Sequence, residues 1–367
     1  MTANIHVFEN FNNGAEYILL PVSIFLFLKQ TFINIWIEEM KKIKWCILGT
    51  GGISRKFAEA LKAVENSELY AVGSRTRESA ESFAHEFNVT KAYSSYEDAA
   101  DDPDVDVIYI GTPHNLHCEN TLMSLEKGKS VLCEKPLSIN GKEVRKMIAK
   151  AKEKKLFFME ALWSRFLPNI IKAKELIDSG EIGKVKFLNS CFSVKSSYGP
   201  EHRQYNKVLG GGSLLDIGIY NVFLSLFLLG KPKEFIAMAG IGSTDVDNSC
   251  SFTFKYDNDT IAVMYSSFMA QCDSIAEIHG ETGKILLPEM FFCPNNVKII
   301  RPDGNEKIIP FEFKSNGYNF EAEEVVKCLQ SGKTQSELMS WNDSLDLIDM
   351  LDAIRKKCGI VYPRHDF

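Results

Sequence analysis

Six residues, Gly49-Thr50-Gly51-Gly52-Ile53-Ser54, separate an apolar run (Ile43 to Leu48) from a stretch of helical periodicity, Ser54 to Val64, with Phe57, Ala58 and Leu61 on one face. A strand, a glycine turn and a helix in that order suit a phosphate-bearing ligand. Glycines permit a tight turn and a close backbone approach, and the helix N-terminus offers unpaired N–H groups to an anion. Glycine-rich turns are common, so this one gains its meaning from the strand–helix alternation around it.

The alternation repeats. Leu69 to Gly73 predicts a strand with a helix over Glu78 to Phe87, and Val107 to Ile110 a strand with a helix from Pro113 to Glu126. Lys129 to Cys133 predicts a strand, Asn140 to Lys154 a helix opened by Asn140-x-x-Glu143, and Leu156 to Met159 a further strand. Such βαβ units build a parallel sheet with helices on both faces, so residues 40–161 are predicted to form a doubly wound α/β nucleotide-binding domain. From about residue 183 onward, strand-like runs joined by turns such as Asp257-Asn258-Asp259 and Glu281-Thr282-Gly283 predominate. Helices are predicted over 167–178, 214–229, 319–330 and 342–357. Residues 162–367 therefore predict an α+β domain, a mostly antiparallel sheet with helices on one side. The ligand cleft belongs between the halves, at the carboxyl ends of the parallel strands.

A formal net charge of −6 gives no electrostatic case for a nucleic-acid partner. Nine cysteines, an odd number without a C-x-x-C pair, point to reduced thiols in a cytoplasmic protein rather than a disulfide framework. Residues 1–39 differ from the rest. Their apolar run Tyr17 to Leu28 is broken by Pro21 and falls short of the roughly 18 residues of a membrane span. Glu9 and Glu16, with no Lys or Arg before the run, do not fit a secretory signal. The expectation is an N-terminal extension without function, with the enzyme proper starting at Met40 and no membrane partner.

Four further motifs carry chemistry. In Val72-Gly73-Ser74-Arg75-Thr76-Arg77 no acid appears until Glu78. The Ser74 hydroxyl and Arg75 guanidinium suit a ribose 2′-phosphate, hence NADP over NAD; the plainer alternative is a solvated loop. In Thr112-Pro113-His114-x-x-His117, Thr112 fits a helix cap and Pro113 the first helical position. No further ligand stands at metal spacing, so no metal is expected, and the loop with one histidine is placed toward the nicotinamide. In Glu134-Lys135-Pro136, proline forces Lys135 to be extended and fixes a cation at the sheet's carboxyl edge, although an isolated lysine is ordinarily a surface residue. In Gly210-Gly211-Gly212-Ser213-Leu214-Leu215-Asp216-Ile217-Gly218-Ile219-Tyr220, Asp216 and Tyr220 share a helix face. Ser213-x-x-Asp216 also fits a capping box, and Tyr220 either packs or points its hydroxyl into the cleft.

Together these motifs, with Glu160 to Phe166 (EALWSRF) and Phe320 to Val325 (FEAEEV), resemble the glucose-fructose oxidoreductase/inositol dehydrogenase/MocA family from residue 41 to about 362. Tyr220 stands where inositol-type members carry His, which resembles the branch of dihydrodiol and D-xylose dehydrogenases that mostly use NADP. The resemblance implies a Rossmann domain joined to an open-faced antiparallel sheet through which many members dimerise. It also implies hydride transfer between nicotinamide and a sugar, polyol or trans-dihydrodiol. By it, Lys135 and Tyr220 are the catalytic pair and Asp216 binds substrate, with Trp163, Arg165 and Phe166 beside it. Gly49, Gly51, Gly52, Ile53, Ser54, Ser74, Arg75, Thr112, Pro113, His114, His117 and Glu134 would line the cofactor. The expected role of Lys135 is to stabilise the Tyr220 phenolate. A non-catalytic dinucleotide sensor is the alternative, since fold does not fix function.

Overall fold

The structure, a computed structural model, describes residues 42–367, and the expectation for residues 1–39 lies outside them. Strands β1 (Ile43–Leu48), β2 (Ser67–Gly73), β3 (Lys91–Tyr93), β4 (Val107–Ile110), β5 (Ser130–Glu134) and β6 (Phe158–Ala161) form one sheet in the order β3-β2-β1-β4-β5-β6. Every pair in it is parallel. Between them run helices α1 (Gly52–Leu61), α2 (Arg77–Phe87), α3 (Tyr96–Asp101), α4 (His117–Glu126) and α5 (Gly141–Lys154). All four β4 residues are buried, as a strand covered on both faces requires. Strand order reverses beside β1, at β1 and β4, and ligands bind doubly wound sheets at that switch point.

The second sheet contains β7 (Val185–Ser193), β8 (Glu234–Ile241), β9 (Asp247–Lys255), β10 (Ile261–Ser267), β11 (Ala276–Gly280), β12 (Lys284–Leu287), β13 (Asn296–Ile300) and β14 (Glu306–Pro310). Its order is β14-β13-β12-β11-β7-β10-β9-β8, antiparallel except where β7 meets β10. Helices α6 (Pro168–Asp178) and α7 (Ile219–Leu229) belong to this half, and α7 packs on β7 and β10. The helical stretch Lys207–Leu229 is long and apolar enough to cross a membrane, but 83% of its most apolar window is buried within the fold.

The last helices return to the first half. Helix α8 (Asn319–Gln330) meets α1, and α9 (Trp341–Cys358) meets α5. The Asn316 amide donates to the Lys56 carbonyl at 2.8 Å, the Gly141 N–H to Asp352 at 2.8 Å, and the Asn140 amide to the His365 carbonyl at 2.9 Å.

Several expectations shift locally. Helix α1 starts at Gly52, and the predicted strand at 156–159 lies at Phe158–Ala161, because Lys155 ends α5 in a left-handed conformation (φ 55°). The helix expected from Pro113 opens with a 3₁₀ turn, His114–Leu116, and neither Thr112 nor Pro113 caps it; the Thr112 hydroxyl instead accepts from Asn120 at 3.0 Å. Asn140 does cap α5, accepting from the Glu143 N–H at 2.9 Å. Strand β8 escapes sequence reading because its small and apolar residues show no apolar-in, polar-out alternation.

Candidate active site

The glycine turn is built as a close-approach loop. Gly49 has φ +94°, and a Cβ there would lie 2.9 Å from the Gly111 carbonyl oxygen, so no other residue fits. Among the described residues nothing lies within 4 Å of a Cβ placed on Gly51 or Gly52, and no side chain caps the first turn of α1. The residues present fit a dinucleotide: a helix start whose first N–H groups meet no side-chain cap among the described residues, next to open backbone at Gly51 and Gly52. Ser54 is fully buried against Gly111, and Ile53 packs on the core. Ser74 is buried at the end of β2 with its hydroxyl 3.4 Å from that of Thr50, while Arg75 is exposed.

At the carboxyl end of β5 the Lys135 ammonium donates to the Asp216 carbonyl at 2.6 Å and stands 3.5 Å from its carboxylate. It also lies 5.0 Å from the centre of the Tyr220 ring. The Tyr220 hydroxyl accepts from the Trp163 indole N–H at 2.9 Å, and Trp163 stacks on Tyr318 at 4.2 Å. Phe192 and Phe292, themselves stacked at 4.2 Å, form an aromatic wall beside the Tyr220 ring.

Charge is segregated within this cluster. Burial opposes ionisation of Asp216, but Lys135 and Arg203 outweigh it and hold that carboxyl well below the usual range. Burial, then the carboxylate of Glu134, pushes the Tyr220 phenol well above its ordinary value, against the lowering effect of the Trp163 hydrogen bond. The phenol therefore keeps its proton at neutral pH. The expectation of a phenolate stabilised by Lys135 is corrected in this respect: the ammonium faces the ring and is engaged by Asp216, and the hydroxyl is served by Trp163. Glu134, buried, accepts from the Tyr109 hydroxyl at 2.6 Å.

The two histidines differ. Burial lowers His114 to about 3, leaving it neutral, and its Nδ1 donates to the Gly210 carbonyl at 3.0 Å. His117 is wholly buried with its ring nitrogens 2.8 and 2.9 Å from the carbonyls of Pro136 and Thr112, so it braces the loop from within. Arg165 does not join the cluster. Its guanidinium stacks 4.3 Å from the Phe227 ring centre, in a cleft shared with Asp343 and Leu347. Phe166 is a core residue. The capping box expected at Ser213 is absent, since its hydroxyl donates to Asp247 at 2.8 Å. Among the described residues no group of three or more His, Cys, Asp or Glu is placed to hold a metal ion.

Sequence reading missed Arg203, whose Nη1 meets Asp216 Oδ1 at 3.0 Å. It also missed Phe192, Phe292 and Tyr318, and Glu321, fully buried with neither carboxyl oxygen hydrogen-bonded among the described residues. Burial, then the neighbouring Glu134, pushes the Glu321 carboxyl well up.

The profile described as "Oxidoreductase family, NAD-binding Rossmann fold" matches residues 43–162, and that of the "GFO/IDH/MocA C-terminal domain" matches 170–286. The trans-1,2-dihydrobenzene-1,2-diol dehydrogenase of Xenopus laevis is 38% identical over 329 residues, covering 87% of this chain and 99% of that protein. The chain belongs to the GFO/IDH/MocA oxidoreductase family. The Homo sapiens protein of the same name is 33% identical, with 88% and 98% covered. Among solved structures, a 3-ketoreductase from Actinomadura kijaniata with NADP and TDP-benzene superposes with a TM-score of 0.80 at 25% identity, covering 87% of this chain and 98% of that one. A levoglucosan dehydrogenase with NADH and L-sorbose gives 0.79 at 22% identity, with 87% and 97% covered, and shows the shared fold. The chain is thus an NAD(P)-dependent dehydrogenase of this family, and the sensor alternative finds no support in these relatives.

Proposed function

We propose that the protein interconverts a ring-borne vicinal diol and the matching hydroxyketone with NADP(H), Tyr220 and Lys135 acting on the reacting oxygen. The observation that carries this reading is the convergence of Lys135 and Trp163 on Tyr220, with Asp216 holding Lys135. Relatives named as dihydrodiol dehydrogenases support the substrate class, and the aromatic wall of Phe192 and Phe292 suits the apolar face of a six-membered ring. Ser74 and Arg75 at the end of β2, with no acid there, favour the 2′-phosphate of NADP.

The cofactor, when bound, gives or accepts a hydride through its nicotinamide. Gly49, Gly51 and Gly52 would hold its pyrophosphate, Ser74 and Arg75 its 2′-phosphate, and the Thr112–His114 loop and Glu134 its nicotinamide end. In the reductive direction Tyr220 gives its proton to the substrate oxygen, and Lys135 supplies positive charge beside that oxygen as it becomes a hydroxyl. In the oxidative direction Tyr220 must first shed its proton, against burial and the Glu134 carboxylate, so that direction speeds up as pH rises. Turnover of NADPH and NADP⁺ against a panel of dihydrodiols, cyclic diols, aldoses and monohydric alcohols tests this reading. Activity confined to monohydric alcohols would overturn the substrate class, and a preference for NAD the cofactor.

The open face of the second sheet presents Ile236 and Val263 in one row and Met238 and Tyr265 in the next, all exposed, as a face suited to a second copy of the chain. A homodimer through this face is part of the proposal, and Met238→Lys should yield monomers in sedimentation. The nine free cysteines support a cytoplasmic location.

A further inference from the structure

Asp216 uses its two carboxylate oxygens unequally. Oδ1 takes Arg203 Nη1 at 3.0 Å and faces the Lys135 ammonium at 3.5 Å. Among the described residues no hydrogen bond reaches Oδ2, which is not one of the fully enclosed unpaired atoms. Arg203 shows a matching asymmetry. Among the described residues only Nη1 has a hydrogen-bond acceptor, and the side chain is 48% exposed. A guanidinium carries five N–H donors in a rigid fork, which leaves about four spare here.

The position of Arg203 is set by backbone rather than by its own side chain. The Gly211 N–H donates to the Asn206 carbonyl at 3.0 Å and the Gly212 N–H to the Gln204 carbonyl at 2.8 Å. A Cβ on Gly211 would come within 2.7 Å of the carbonyl oxygens of both Arg203 and Gln204. The triple glycine therefore lets the 203–206 segment lie flat on the turn that leads to Asp216. Arg203 is thereby delivered to the same carboxylate oxygen that faces Lys135, which leaves Oδ2 to neither cation.

We infer that Arg203 and Asp216 Oδ2 together form a second hydroxyl subsite, which binds the oxygen on the carbon next to the reacting one. A hydroxyl both donates and accepts, and this pair offers one acceptor and a fork of donors at adjacent points. A monohydric alcohol leaves both unmet, and a site built to bond a hydroxyl discriminates against ligands lacking it. The subsite selects vicinal diols and α-hydroxyketones over simple alcohols and ketones. It rests on the dehydrogenase reading above for the reacting carbon, but its test needs no turnover.

The experiment measures binding of trans-1,2-cyclohexanediol and of cyclohexanol to the NADP⁺ complex by calorimetry. Wild type, Arg203→Met and Arg203→Lys are compared, and kcat and KM are then measured for each alcohol that turns over. Arg203→Lys keeps a cation on Asp216 and guards against a folding defect in the Met variant. The expected result is a diol Kd raised roughly tenfold or more in both variants, with cyclohexanol and NADP⁺ affinities within about twofold of wild type. Where turnover is seen, the loss falls in the diol KM and not in kcat. Equal weakening of both alcohols would show that Arg203 only braces Asp216 and would overturn the subsite, as would an unchanged diol Kd. Binding in the expected pattern without any turnover would uphold the subsite while refuting the vicinal diol as the substrate of the reaction.

Discussion

The Trp163 indole donates to the Tyr220 hydroxyl at 2.9 Å, so the phenol oxygen is held as an acceptor on one side and its own proton is left for another partner. That bond lowers the phenol's pKa against the much larger upward push of burial. Trp163→Phe removes the donor and raises the phenol further. Oxidative kcat at neutral pH should fall roughly tenfold, and the pH at which the oxidative rate rises should move upward. A pH–rate profile with an unmoved limb would separate Trp163 from the proton chemistry.

Tyr220→Phe keeps the ring packing against Phe192 and Phe292 while deleting the oxygen. Turnover should drop by at least ~100-fold with NADPH binding, monitored by fluorescence, unchanged. Lys135→Met should cost a similar factor, and the double variant should be little worse than either single one, because in the proposed mechanism the two groups act on one oxygen.

Arg75→Ala should weaken NADP binding by roughly 10- to 100-fold and leave NAD within about twofold, since a guanidinium on a phosphate makes charge-assisted bonds that the ribose hydroxyl does not. Equilibrium titration with both cofactors checks the ratio.

Asp247 is fully buried, and burial lifts its carboxyl from the usual range to about 7 despite the hydrogen bond from Ser213. Below about pH 4 folded and unfolded states both carry the proton. Between about 4 and 7 only the folded state does, so stability from this group falls by up to ~1.4 kcal/mol per pH unit as pH rises, and the loss is complete above 7. Asp247→Asn can still accept from the Leu214 N–H, now 2.7 Å from the carboxylate, without carrying charge. Its Tm relative to wild type should be higher at pH 8 than at pH 5, measured by calorimetry.

Much of the first half was legible because its rules are local. A run such as Ile43–Leu48, a glycine turn and an amphipathic helix lie within about twenty residues of one another, and repeating them builds the parallel sheet. That Lys135, Asp216 and Tyr220 come together was legible from motif context. Arg203 was not, because it sits in a polar stretch without periodicity and matters only where the folded 203–206 segment lies against Gly211. Arg165 misled for the converse reason: it neighbours Trp163 in sequence, but the 3₁₀ turn Trp163–Phe166 sends the two side chains to different surroundings. Phe292 and Tyr318 reach the site from far along the chain, and no spacing rule connects them to Tyr220.

Helices α8 and α9 come from the far end of the polypeptide, yet they cover α1 and α5, the helices that flank the glycine turn and the Lys135 strand. Exchanging cofactor preference by grafting a relative's nucleotide-binding segment would therefore leave a foreign seam along both helices. A working chimera has to import its tail with its head, or have Asn316 and Asp352 refitted to the new surface.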